Sequence, residues 1–101
     1  MLAERVSPTT AAYSSSVPAV ACFSIQALAE PSVMPRVLEL FAKRGMIPSR
    51  WHSDLGGRCR DELTIDLQIE GLPRDRAELI AHAIRQMVSV TSVLTSEKSF
   101  V

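Results

Sequence analysis

A run of nine residues in the second half of the chain alternates strictly between apolar and polar side chains. Residues 62–70 read Glu-Leu-Thr-Ile-Asp-Leu-Gln-Ile-Glu, with leucine or isoleucine at every odd position. Successive side chains of a β-strand point to opposite faces of the sheet, so this run predicts a strand with one apolar and one polar face. Such a strand requires an antiparallel sheet whose covering elements all lie on one side.

The segments that precede this strand predict a strand followed by a helix. Residues 20–28 alternate between apolar and polar side chains, which is typical of a half-buried strand. The helix has Ser32 as its N-cap, Pro35 in its first turn and Gly45 as the left-handed residue that ends it. Its apolar stripe consists of Val33, Val37, Leu40 and Phe41.

The remaining segments complete the set of elements. Residues 47–55 predict a second strand, and the Gly-Gly pair at 56–57 predicts the turn into the alternating strand. Residues 73–87 predict a second helix, and the β-branched segment 88–95 predicts the last strand. The inner stripe expected for the second helix comprises Arg76, Leu79, Ile80, Ala83, Ile84 and Met87.

The order of the predicted elements is βαββαβ. This order predicts an α+β fold of the ferredoxin-like class, in which an antiparallel four-stranded sheet carries two helices on one face. We expect residues 20–96 to form this domain. Residues 1–19 are rich in Ser, Thr and Pro and predict a flexible tail, and residues 97–101 are expected to form a second tail.

Composition excludes several classes of partner. The 101 residues carry 11 Lys and Arg against 11 Asp and Glu, so no net positive charge favours nucleic acid or an anionic membrane. No apolar run approaches the roughly 18 residues that span a bilayer. Cys22 and Cys59 lack the spacing of a metal or redox motif, which fits a reducing cytoplasm. A core of this size also favours a homodimer.

No group of residues predicts catalysis, a cofactor or a metal. His52 and Asp54 share a strand face, but Cys59 lies beyond the Gly-Gly turn and His82 lies on a helix, so we expect no metal site. Neither cysteine lies at a helix start that would activate it as a nucleophile, so we expect no catalytic residue. A ferredoxin-like enzyme stays open as a weaker alternative, because polar residues share the open sheet face: Ser24, Gln26, Thr64, Asp66 and Gln68.

Residues 30–45 read Glu-Pro-Ser-Val-Met-Pro-Arg-Val-Leu-Glu-Leu-Phe-Ala-Lys-Arg-Gly, and this run resembles the ACT domains that sense small molecules in amino-acid metabolism. Within that family it is most similar to the small regulatory subunit of acetohydroxyacid (acetolactate) synthase, and residues 85–93 resemble a second segment of the same subunit. The matching positions of the first run are Val33, Arg36, Val37, Leu40, Phe41, Arg44 and Gly45. The resemblance covers roughly residues 20–95.

The resemblance implies a non-catalytic regulatory module that binds a small amino acid or a related ligand between two copies of the chain. It also implies a large enzyme subunit, such as that of acetolactate synthase, as a partner. The ligand-binding residues implied are Ala29, Glu30, Pro31, Ser32, Val33 and Met34 of one copy, facing Ile47 and Pro48 of the other.

Three departures from the family pattern fall in this set. Ala29 stands where the family has an asparagine, Ser32 where it has a glycine, and Ile47-Pro48 where it has an Asn-Ile pair. These departures keep a second interpretation open, in which the module has lost its effector site. It would then act as a ligand-free module for dimerisation or protein interaction.

Overall fold

The computed structural model describes residues 19–99, which form the six elements that the sequence predicts. They are β1 (Ala19–Leu28), α1 (Val33–Ala42), β2 (Arg50–Gly56), β3 (Glu62–Glu70), α2 (Arg74–Arg85) and β4 (Val90–Ser99). The four strands form one sheet in the order β2-β3-β1-β4, and every neighbouring pair is antiparallel. Both helices cover the same face, so the ferredoxin-like βαββαβ prediction is confirmed.

The core lies between the helices and the odd-numbered positions of the two central strands. In β3 these positions are Leu63, Ile65, Leu67 and Ile69, and all four are buried, as the alternation predicts. From α1, Phe41 packs edge-to-face against Phe23 of β1, with ring centroids 5.4 Å apart and an interplanar angle of 78°. Aromatic pairs favour this geometry because the positive edge of one ring meets the negative face of the other.

The predicted start of the second strand is wrong. β2 begins at Arg50, so Ile47 and Pro48 lie in the loop before it, and the Ile47 side chain is 86 % exposed. Pro48 has no N–H to donate to the ladder, and the first bond to β3 comes from the Ser49 amide, which reaches the Gln68 carbonyl at 2.8 Å. The apolar Ile47 therefore has no sheet face to occupy.

The predicted inner stripe of α2 is wrong in part. Ile80 and Ile84 are buried as expected, but Leu79 is 67 % exposed and Arg76 is also exposed. Two small residues, Ala77 and Ala81, face the sheet in their place. The helix packs on its alanine side because small side chains let it approach the sheet closely, which leaves Leu79 pointing outward.

The ends of the domain also differ from the prediction. β4 starts at Val90, two residues later than predicted, and runs to Ser99, so residues 97–99 belong to the sheet. Ser99 is paired with Ala19, the first residue of β1. The tail predicted at 97–101 is therefore wrong for residues 97–99. The other predicted tail, residues 1–19, is wrong for Ala19, which belongs to β1, and residues 1–18 lie outside the described residues.

Candidate functional site

The junction between β1 and α1 is anchored on two sides. The Leu28 amide donates to the Ser89 carbonyl at 2.8 Å, and the Ala29 amide donates to the Asp61 carbonyl at 3.0 Å. Ser89 lies just before β4, and Asp61 lies in the loop before β3. The backbone of the junction is therefore held between the two loops at this end of the sheet.

A tight turn carries the chain from this anchor into α1. The Val33 amide donates to the Glu30 carbonyl at 3.1 Å, and Pro31 occupies the first central position of the turn. Ser32, the second central residue, has φ −79° and ψ −11°, close to the values of a type I turn. Ser32 occupies the N-cap position as predicted, but its side chain makes no capping hydrogen bond. The turn itself positions the helix start.

Two amides of this corner have no acceptor within residues 19–99. They are the backbone N–H groups of Ser32 and Met34, whereas Pro31 and Pro35 have no N–H to offer. Unpaired N–H groups at a helix start, together with the helix dipole, favour a negatively charged group. The corner can therefore receive a carboxylate through backbone contacts alone.

A side-chain hydrogen bond fixes the acidic residue of the corner. The Ser89 hydroxyl donates to one carboxylate oxygen of Glu30, and Ser89 is only 9 % exposed. Glu30 itself is exposed, and its second oxygen makes no hydrogen bond within residues 19–99. The corner thus presents two amide donors and one carboxylate acceptor. Sequence reasoning missed Ser89 and Asp61, because they lie 59 and 32 residues from their partners and carry no local signal of the contact.

The structure separates the remaining predicted ligand residues from this corner. Arg50, the first residue of β2, is level with Cys22 across the sheet, whereas the junction follows Leu28. Six residues of a strand span about 20 Å. Ile47 and Pro48 precede Arg50 and therefore lie towards the opposite end of the sheet from the junction. Within one chain, the structure brings Ala29, Glu30, Pro31, Ser32, Val33 and Met34 together, but not Ile47 and Pro48.

The side chains of the types that bind metals do not form a metal site in the part of the chain that the structure describes. His52 Nε2 lies 2.9 Å from Asp54 Oδ2, and both side chains are exposed on β2. Cys22 and Cys59 are both unpaired thiols. Within residues 19–99, no three His, Cys, Asp or Glu side chains come together as metal ligands. In the same range, neither helix has the length and apolar character needed to cross a bilayer.

Comparison with protein families gives one match that spans most of the chain. The model of the ACT-like domain matches residues 14–99. The chain belongs to the ACT-like domain family. No curated protein sequence matches it.

Solved structures share the ACT-like fold at low sequence identity. The ACT domain of the GTP pyrophosphokinase from Chlorobium tepidum has a TM-score of 0.64 and 13 % identity, over 76 % of this chain and 96 % of that one. The C-terminal domain of MgtC from Mycobacterium tuberculosis has a TM-score of 0.65 and 11 % identity, over 79 % and 87 %. The regulatory subunit of aspartate kinase from Thermus flavus has a TM-score of 0.61 and 10 % identity, over 79 % and 52 %. ACT domains are regulatory modules.

Proposed function

We propose that this ACT-like domain is a non-catalytic, homodimeric regulatory module that binds a small amino acid or a related ligand between two copies of the chain. Residues Ala29 to Met34 of one copy would hold the ligand together with Ile47 and Pro48 of the second copy. The observation that carries the proposal is the pair of unpaired amides, Ser32 and Met34, beside an oriented carboxylate, Glu30.

The topology supports a site shared by two chains. β2 is an edge strand, so one side of its backbone is unpaired in the monomer. If two β2 edges pair antiparallel, the Arg50 end of one strand meets the Gly56 end of the other. Gly56 is level with Leu28 across the sheet, so the loop that contains Ile47 and Pro48 of the second copy approaches the β1–α1 corner of the first. Ile47 and Pro48 lie far from the β1–α1 corner of their own chain, and in this dimer they would approach the corner of the second chain instead.

Exposed apolar side chains lie near the β2 edge, and a second copy that pairs with this edge would bury them. Leu55 of β2 is 47 % exposed and Ile47 is 86 % exposed, and Trp51 is only partly buried. Burying apolar surface contributes about 25 cal/mol per Å², so a second copy that covers these side chains gains stability from each of them. An isolated domain of this size also buries a small share of its surface.

The chemistry of the corner favours a small zwitterion. The ligand carboxylate would accept hydrogen bonds from the Ser32 and Met34 amides, and its ammonium group would lie against the free oxygen of Glu30. Since Ala29 and Ser32 replace the family's asparagine and glycine, backbone groups and Glu30 would take over polar contacts that those residues make elsewhere in the family. A ligand that binds the dimer better than the monomer shifts the equilibrium towards the dimer.

The regulated enzyme in this proposal belongs to branched-chain amino-acid biosynthesis, with the large subunit of acetolactate synthase as the first candidate partner. The support is the resemblance of residues 30–45 to the small subunit of that enzyme. A cytoplasmic location is part of the proposal, and the unpaired thiols of Cys22 and Cys59 fit a reducing compartment.

Thermal melting with valine, isoleucine, leucine, serine and phenylalanine tests ligand binding. One of the five is expected to raise the melting temperature, because a ligand that binds only the folded state stabilises it. Glu30→Gln is expected to remove that shift, and Glu39→Gln, an exposed change on α1, is expected to keep it. No shift with any of the five amino acids would contradict the sensing function.

Sedimentation equilibrium tests the dimer. Ile47→Asp is expected to weaken self-association, because it places a charge in the proposed interface between the two β2 edges, called the seam here. Leu79→Asp is the matched control, since Leu79 is a similarly exposed apolar residue on α2, away from β2. A wild-type chain that stays monomeric at all concentrations, or equal behaviour of the two variants, would contradict the proposed seam.

A second candidate function is a ligand-free interaction module that pairs through a sheet edge. The observation that favours it is that β2 and β4 are both edge strands, in a chain that lacks the family's asparagine and glycine at positions 29 and 32. A stable dimer, or capture of a large synthase subunit from source cells, without any amino-acid effect on melting would favour this candidate.

A further inference from the structure

The face of the sheet that the helices leave open carries a depression of about 470 Å³. Its floor is low because β1 contributes small side chains there, Cys22 and Ser24. The edge strands and β3 form the walls, which include Arg50, His52, Asp66, Gln68, Leu94 and Ser96. The strand register places all of these side chains on the same face.

Two opposite charges in this depression lack a partner within residues 19–99. His52 lies directly across from Asp66, yet its Nε2 bonds to Asp54 at 2.9 Å, so Asp66 loses its nearest cross-strand partner. Arg50 lies diagonally from Asp66, and no ion pair joins the two within 4.0 Å. A guanidinium and a carboxylate thus face the same depression without neutralising each other.

We propose that this depression binds a dipolar molecule of dipeptide size, with its carboxylate at Arg50 and its ammonium group at Asp66. An arginine guanidinium offers two parallel donors to a carboxylate, and a carboxylate accepts the hydrogen bonds of an ammonium group. Gln68 lies directly across from Arg50 and two residues from Asp66 on β3, so its amide can pair with a peptide group of the ligand. Leu94, which is 70 % exposed, provides an apolar wall for a side chain.

The spacing of the two charges selects the length of the ligand. Diagonal neighbours on an antiparallel sheet lie about 7–8 Å apart, and their Cβ atoms lie somewhat closer. Two extended residues span about 7 Å, so the two termini of a dipeptide can reach both charges at once. The two charged groups of a free amino acid sit on one carbon, so they match two separated positions less closely than the termini of a dipeptide do. This site is therefore separate from the amino-acid site at the β1–α1 corner, both in position and in ligand.

Nuclear magnetic resonance titration of the full chain with the dipeptide Ala-Leu tests the proposal. The amide resonances of Ser24, Leu94 and Ser96 are expected to shift. Arg50→Gln and Asp66→Asn are each expected to weaken the affinity by roughly tenfold or more, the loss from deleting one charge-assisted hydrogen bond. Both positions are exposed, so neither change removes core packing. Arg76→Gln, an exposed change on α2, is expected to leave the affinity unchanged.

Two further probes separate charge recognition from unspecific contact. N-acetyl-leucine amide lacks both charges and is expected to leave the open-face resonances unchanged. The charge-exchanged double variant Arg50→Asp/Asp66→Arg is expected to bind Ala-Leu in the reverse direction, within about tenfold of the wild-type affinity.

Three results would each overturn the proposal. They are the absence of shifts with Ala-Leu, equal affinities of Arg50→Gln, Asp66→Asn and Arg76→Gln, and equal shifts of the same resonances with free leucine. Shifts confined to the β1–α1 corner with free leucine would support the amino-acid site alone, so the two proposals fail independently.

Discussion

Replacement of Ser89 by alanine tests how strongly the β1–α1 corner is held. The change removes the hydroxyl that donates to Glu30 but keeps the Ser89 carbonyl, which accepts from the Leu28 amide. A hydrogen bond to a charged group contributes about 1.5–3 kcal/mol to stability. Glu30 is exposed and regains water when the bond is lost, so we expect a loss near the lower end, about 1.5 kcal/mol.

Urea unfolding followed by the fluorescence of Trp51, the single tryptophan, measures this loss. With a slope of about 1 kcal/mol per M, the midpoint is expected to fall by about 1.5 M in Ser89→Ala. Ser92→Ala is the matched control, because Ser92 is exposed on β4 and such changes cost less than about 0.5 kcal/mol.

A double-mutant cycle identifies the partner of the hydroxyl. Glu30→Ala and Ser89→Ala are expected to be non-additive, with a coupling free energy of about 0.5–3 kcal/mol. Equal midpoints for Ser89→Ala and Ser92→Ala, or strict additivity of the Glu30 and Ser89 changes, would refute the reasoning that this bond holds the corner.

Two further predictions test the packing of α2 and the β2–β3 hairpin. Ile80→Ala is expected to lower the free energy of unfolding by about 2–5 kcal/mol because it leaves a core cavity. Leu79→Ala is expected to change it by less than about 0.5 kcal/mol. Equal losses of the two variants in urea unfolding would contradict the assignment of Ile80 to the buried face of α2 and of Leu79 to its exposed face. Gly57→Ala is expected to cost about 1–2 kcal/mol by the same measurement, because φ is +84° and the new Cβ would lie 2.6 Å from Asp61 Oδ1. Gly56→Ala is its control, since no atom lies within 4 Å of the added carbon, and a loss as large as that of Gly57→Ala would contradict the strain argument.

Local patterns predicted the elements because their causes are local. The alternation at 62–70 follows from the two-residue repeat of a strand, and the helix that ends near Gly45 follows from its apolar stripe and a left-handed residue, which the φ of +72° confirms. The element order then leaves few ways to cover one sheet face, so the fold class could be predicted from the sequence.

Details that depend on tertiary packing could not be predicted in this way. The face of α2 that packs on the sheet depends on how closely the helix approaches the sheet, and a close approach favours Ala77 and Ala81 over the larger Leu79. Similarly, Ile47 matches the alternation of a strand, but Pro48 shifts the first ladder bond to Ser49. In both places a hydrophobic residue fits the local pattern and is nevertheless exposed.

The candidate site also has one part that the sequence predicts and one part that depends on tertiary packing. Residues 29–34 lie together because they are consecutive, so their proximity follows from the sequence alone. The contacts that orient them come from Ser89 and Asp61, which only the strand order brings to this end of the sheet. Likewise, Arg50 lies near Asp66 on the open face only because of the register in which β2 pairs with β3. No short motif encodes that register.

The pairing of Ala19 with Ser99 has a consequence for covalent architecture. Directly opposed residues of an antiparallel pair have Cα atoms about 4.5–5.5 Å apart, so the two ends of the unit formed by residues 19–99 nearly touch. A host protein could receive this unit within a surface loop without spreading the two ends of that loop, and a short peptide could close the unit into a ring whose new termini lie at the β2–β3 hairpin.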